Sequence, residues 1–237
     1  MKPKSNNLFH FTKSLDVLKL ILINGIQPRY CLEDNEWMGL GEEKHIAFPM
    51  SCFCDIPLSR ISEHTDFYGN FGVGFTKEWG LKNQLNPIIY TTSDGRIQNL
   101  MKFLFSCERT EENKEDFNFY TYSLWAHIKP IVGKMIISGE VVEKEFYQEN
   151  EWRYVPPVDT LMLADKYEDG KEKANTIVSE YALKFVPSDI RYLFVKSDSD
   201  IPALVDFINT ELGHFPHNDL KILTSRIVSL QTLHVDL

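Results

Sequence analysis

NLFHFTKSLDVLKLILING, residues 7–25, reads as a strand, a helix and a glycine stop. Phe9 and Phe11 alternate with His10 and Thr12, which makes one strand face aromatic and the other polar. Ser14 stands where a helix N-cap belongs, Leu15, Leu18, Ile21 and Leu22 repeat at helical spacing, and Asn24-Gly25 ends the run. A strand that feeds directly into a helix predicts a mixed α+β chain.

Working outward, IQPRYC leads into LEDNEWMGLGEEKH, residues 32–45, whose Glu and Gly content reads as the mobile loop of the N-terminal half. IAFPMSCFCDI, residues 46–56, reads as a second strand that ends at Pro57. LSRISEHTDFYG predicts a short helix, because Ile61, His64, Thr65 and Tyr68 share one face and Gly69 stops it. NFGVGF is a glycine-punctuated strand, with PIIYTT expected as its partner after a turn at Asn86-Pro87. Residues 96–126 read as helical or irregular around an acidic, solvated insertion, ERTEENKED. IVGKMIISGEVVE, FYQENEWRYVP, YALKFVP and IRYLFVKS complete the expected strands, and IPALVDFINTEL is a helix by its apolar spacing. No internal repeat or low-complexity linker interrupts the chain, so residues 1–237 are expected to form a single domain.

Composition narrows the function classes. Hydrophobic residues at 43% and charged residues at 25% suit a globular chain with a real core and exclude a disordered one. Lys and Arg number 25 against 34 Asp and Glu, a net charge of −9 that repels phosphate backbones and anionic lipid. An RNA-binding regulator is therefore disfavoured. MKPKSNNLFHF carries no apolar run of signal-peptide type, and no stretch approaches the length of a membrane span, so a cytoplasmic, membrane-free protein is expected. Cys31, Cys52, Cys54 and Cys107 are too few for a disulfide scaffold, and the one-residue spacing of Cys52 and Cys54 does not suit structural zinc. Free thiols and no metal are expected.

Three segments could carry chemistry. In ENEWR, period-two alternation would send Glu149, Glu151 and Arg153 to one strand face, gathering two carboxylates and a guanidinium. An exposed strand face laced by ion pairs would look the same. His10 and Thr12 form a polar pair able to hydrogen-bond a ligand, or a pair satisfied within the core. In HTDFYGNFGVGF, Gly72 and Gly74 share a strand face that a flat group or another backbone can approach, and a β-bulge is the simple alternative. No phosphate-cradling loop and no nucleophile elbow occurs.

FHFT, INGIQPRYC, PMSCFCDIPLS, HTDFYGNFGVGFTKEWG, NPIIY, the Lys129-Pro130 pair and YQENEWRYVP occur in a fixed order over about residues 8–155. In this order and wording the chain resembles the AbiGi family of abortive phage-resistance proteins, a family labelled as an antitoxin component. More distantly it looks like the ADP-ribosyltransferase superfamily, including the DarT-like toxins that modify DNA. The distant resemblance implies an α+β fold of two packed, mostly antiparallel sheets that form a cleft with flanking helices, and NAD as substrate.

It also implies roles. His10, with Thr12 beside it, would hold a ribose hydroxyl of NAD, and Tyr68 or Phe75 would stack on nicotinamide, with Phe71 and Tyr90 as other candidates for that aromatic. Glu151 would stabilise the cationic centre as nicotinamide leaves, and Glu149 would orient or deprotonate the acceptor. Arg29 and Arg153 would clamp the pyrophosphate. The expected function is a phage-defence protein with an NAD-binding cleft that transfers ADP-ribose to an acceptor, nucleic acid entering only in that role. The rival is a non-catalytic antitoxin or phage sensor that binds a cognate toxin or antitoxin through the same scaffold or through the acidic surface around residues 108–116.

Overall fold

A computed structural model describes residues 5–41, 43–137, 140–158 and 161–236. The first residues of MKPKSNNLFHF, and Ser138 and Gly139 of the expected strand IVGKMIISGEVVE, lie outside them. The fold is α+β, and its contacts gather into two compact units. The first comprises Met1–Ile26, Cys52–Leu85 and Ala182–Leu237, and the second Gln27–Ser51 and Asn86–Tyr181.

In the first unit the opening strand Asn7–Thr12 pairs antiparallel with Phe71–Thr76, from Asn7 opposite Thr76 to Thr12 opposite Phe71. Phe71–Thr76 pairs antiparallel with Ile190–Val195, which in turn pairs parallel with Ile227–Ser229. The helix Leu15–Asn24 begins at Ser14, whose hydroxyl accepts the Val17 amide, and ends at Gly25. Phe9, Phe11, Cys54, Ile56, Ile61, Phe194 and Leu230 form a buried cluster. The aromatic face of the opening strand is thus a core face, as the alternation implies.

The two strand glycines have a packing reason. Phe11 lies opposite Gly72 and Phe9 opposite Gly74, and a Cβ on Gly72 would sit 2.7 Å from the Phe11 ring, one on Gly74 2.9 Å from the Phe9 ring. The flat groups that approach this strand are therefore the chain's own phenylalanines, which lie over the missing side chains. The neighbouring strand also carries a register shift between Ile190 and Tyr192. Gly69 ends the helix Ile61–Tyr68 at φ 115°, a conformation that side chains rarely adopt.

In the second unit Arg29–Asp34 pairs antiparallel with the strand His45–Cys54, from Arg29 opposite Met50 to Asp34 opposite His45. Leu32–Asp34, expected in a mobile loop, is thus paired strand, and Asn35 and Met38 beyond it are buried. Cross-strand pairing overrode local polarity here. Ile89–Thr91 pairs parallel with Ile128–Pro130 and not with Phe71–Thr76, because Pro87 closes a separate short pairing of Asn86–Pro87 with Glu151–Tyr154.

Val132–Ile137 and Glu140–Glu145 form an antiparallel hairpin where one strand was expected. Helices Arg96–Ser106 and Lys114–Trp125 flank the acidic insertion, whose last residues enter the second helix. YALKFVP forms no strand beyond a bridge between Leu183 and Ile26, since Pro187 begins a short 3-10 turn. No helix among the described residues is long and apolar enough to cross a membrane.

Candidate functional site

The second unit brings together the carboxylates and the guanidinium of ENEWR, by a different geometry from simple alternation. Phe146–Glu149 is a 3-10 turn closed by Asn150 at φ 44°, and only Glu151–Tyr154 is strand. Glu149 therefore reaches the site from a turn, while Glu151 and Arg153 point inward from alternate strand positions. All three are buried.

Arg153 is the hub. Its Nη1 donates to Glu33 Oε2 at 2.9 Å and to the Ala126 carbonyl at 2.6 Å. Its Nη2 donates to Glu33 Oε1 at 2.5 Å and to Glu151 Oε2 at 3.2 Å, and its Nε to Glu151 Oε1 at 2.7 Å. A guanidinium has five N–H donors, and all five are engaged within the protein.

Lys129, from the strand Ile128–Pro130, places its ammonium 3.0 Å from Glu151 Oε2, 3.5 Å from Glu149 Oε2 and 3.8 Å from Glu33 Oε1. The same ammonium lies 4.2 Å above the centre of the Phe146 ring. Lys144 closes on Glu149 Oε1 at 2.6 Å. Three carboxylates thus face three cations, a buried network without net charge.

The network's electrostatics follow from this balance. Burial alone would lower the Lys129 pKa, but the three carboxylates outweigh it and push the ammonium's pKa well up. Burial likewise works to raise the Glu149 pKa and is overcome by Lys129 and Lys144, so its carboxyl titrates below the ordinary glutamate value. Tyr90 accepts the Glu151 amide N–H at 2.8 Å, and burial pushes its phenol pKa up, so it stays protonated. His127 bonds through Nδ1 to the Ser123 carbonyl at 2.7 Å, which puts the proton on Nδ1 and leaves the buried Nε2 without a partner among the described residues. Burial lowers its pKa.

Glu33, Lys144 and His127 were not singled out in the sequence, and Lys129 stood out only as a Lys-Pro pair. Nothing in their local pattern differs from a solvated strand residue. Glu33 and Lys129 take their role from Arg153 and Glu151, distant in the chain, whereas Lys144 and His127 meet the nearby Glu149 and Ser123.

The remaining sequence candidates belong to other elements. Arg29 is an exposed residue of the second unit, opposite Met50. In the first unit, His10 bonds through Nδ1 to the Cys52 carbonyl at 2.8 Å, and burial lowers its pKa against the raising effect of that bond. Thr12 stands at the end of its strand opposite Phe71. Tyr68 packs against His64 with ring centres 4.5 Å apart. Phe75 is wholly buried and stacks on Trp79 at 3.9 Å, so it serves the core of that unit. Cys31, Cys52, Cys54 and Cys107 form no disulfide among the described residues.

With this geometry in view, comparison with known proteins places the chain. Residues 24–196 match the family described as "Putative abortive phage resistance protein AbiGi, antitoxin". The chain belongs to the AbiGi family. It is also 27% identical over 244 residues to the abortive phage resistance protein AbiGi of Lactococcus lactis subsp. cremoris, an alignment that covers 88% of this chain and 98% of that protein. No solved structure matches the chain. The matched span of the AbiGi family model contains the whole network, from Glu33 to Arg153.

Proposed function

We propose that this AbiGi-family chain serves abortive phage infection as a non-catalytic antitoxin that binds a toxin protein. The observation that carries the reading is the engagement of Glu151 and Arg153 inside the protein. Both Glu151 oxygens face cations and every Arg153 donor is in use. A catalytic carboxylate would have to leave Arg153 and Lys129 to meet a cationic centre, and a pyrophosphate clamp would have to leave two carboxylates. Both moves strand buried charge.

A surface suited to a protein partner supports the same reading. Leu18, Ile21 and Leu22 of the first helix are buried, yet Val17, Leu20 and Ile23 on its other side stay exposed. A helix apolar on both sides calls for a covering partner.

The second reading, an NAD-dependent ADP-ribosyltransferase, is favoured by one observation: Glu149 and Glu151 converge on a single ammonium, a close carboxylate pair such as acid–base chemistry uses. Two measurements separate the readings. The antitoxin reading expects relief of growth arrest when the chain is co-expressed with the toxin of its defence locus, and no nicotinamide release from NAD. NAD binding by calorimetry together with nicotinamide release that Glu151→Gln abolishes would overturn it.

A further inference from the structure

A cavity of about 610 Å³ opens in the second unit beside the charge network, and Glu33 and Lys129 belong to both. That volume suits a nucleoside-sized ligand. Five aromatic side chains line it, Trp37, Phe48, Trp125, Phe146 and Tyr167. Phe48 meets Trp125 edge to face at 5.5 Å, and the Trp37 indole N–H is tied to the Asp34 carbonyl at 3.0 Å. These rings are therefore held in place, as a stacking wall requires.

The polar groups of the cavity are mostly acceptors. Glu33, Asp34 and Glu36 bring carboxylates, and Asn35 brings an amide. Lys129 is committed to the network and Lys134 to Glu36 at 2.9 Å, while the carboxylates they pair with keep lone pairs for a further donor. Asn35 is 4% exposed, its Nδ2 donates to the Glu43 carbonyl at 3.0 Å and its backbone amide to the Lys44 carbonyl at 2.7 Å. That orientation fixes Oδ1 as an acceptor, and among the described residues it has no partner.

From this we infer that the cavity binds a flat nitrogen heterocycle that donates hydrogen bonds, of the nucleobase class with an exocyclic amine. The rings stack on its faces, and the carboxylates of Glu33, Asp34 and Glu36 accept from its amino edge. The acceptor-rich lining disfavours a phosphate at this end, so a nucleoside fits better than its monophosphate. This inference stands independently of the toxin-binding reading.

The test is calorimetric titration of the full chain with adenosine, guanosine and cytidine, and with purine riboside and uridine, which lack the amine. At least one amine-bearing nucleoside is expected to bind, at least tenfold more tightly than its amine-free counterpart, because carboxylates placed to accept from the amine meet no donor in the analogue. Adenosine or guanosine is expected to bind more tightly than its monophosphate. Trp37→Leu, which shortens a half-buried wall residue, is expected to weaken the best ligand at least tenfold while the unliganded melting temperature changes little. No heat with any amine-bearing nucleoside, or equal affinity with and without the amine, overturns the inference. The wild-type comparison decides the matter even where a variant folds poorly.

Discussion

Arg153 and Glu33, 120 residues apart in the chain, meet in a two-pronged ion pair with contacts of 2.9 Å and 2.5 Å. The guanidinium is wholly buried and shares its remaining donors with Glu151 and the Ala126 carbonyl. Replacing it with Met of similar reach leaves three carboxylates facing two lysines. Arg153→Met is expected to destabilise the protein by about 3–5 kcal/mol, read as a lower urea midpoint. Arg153→Lys should recover only part of that loss, since an ammonium cannot fork across two carboxylates. A midpoint unchanged in Arg153→Met would remove the network from the fold's support.

Stability should depend on pH through Glu149. Its folded pKa lies below the ordinary glutamate value of 4.5, so its contribution is present above that pH and is lost as pH falls through the folded pKa. Lys129 is displaced the other way, with a folded pKa above its ordinary 10.5, so its contribution is complete below that value. Urea midpoints are expected to hold steady from about pH 5 to about pH 10 as far as these two groups are concerned, and to fall below about pH 4. Glu149→Gln should flatten the acid limb. An acid limb of the same steepness in that variant would assign it to other carboxylates.

Tyr90 holds the first residue of the Glu151–Tyr154 strand by accepting its amide. Tyr90→Phe keeps the ring and removes the acceptor, which leaves a buried N–H unpaired at a cost of about 1–3 kcal/mol. Hydrogen exchange should report it locally, as faster exchange of the Glu151 amide than of its neighbours. Unaltered exchange at that amide would show that the phenol does not hold the strand.

Gly72→Ala is expected to destabilise the first unit by about 1–3 kcal/mol, because the new methyl group meets the Phe11 ring at 2.7 Å and the His10 carbonyl at 2.9 Å. Adding Phe11→Leu relieves the ring contact and not the backbone one, so the double variant should recover part of the loss. Thermal melts of the single and double variants check this, and additive losses would deny the contact.

Local pattern and tertiary structure divided the work along physical lines. The segment 7–25 was legible to its cap and its glycine stop, because alternation, helical spacing and turn chemistry act within a few residues. The helix before Gly69, the Phe71–Thr76 strand and the Ile201–Glu211 helix were legible for the same reason. Leu32–Asp34 was not, since its polarity suits a loop and only pairing with His45–Ala47 makes it strand. Nor was the partner of Ile89–Thr91, because strand order depends on which distant segment buries the adjoining edge.

The candidate site divides in the same way. That Glu151 and Arg153 would share a strand face was readable from their spacing, while Glu149 joins them from a turn, and membership of the AbiGi family was readable from ordered motifs. Whether the charge would be exposed or buried was left open by those three residues. Only the tertiary structure supplied Glu33, Lys129 and Lys144, from strands whose sequences carry no mark of that role, and so turned an acidic run into a neutral buried network. Residue spacing determines which side chains share a face, because backbone geometry repeats locally. Which charges meet them across a core is decided by the packing of segments distant in the chain.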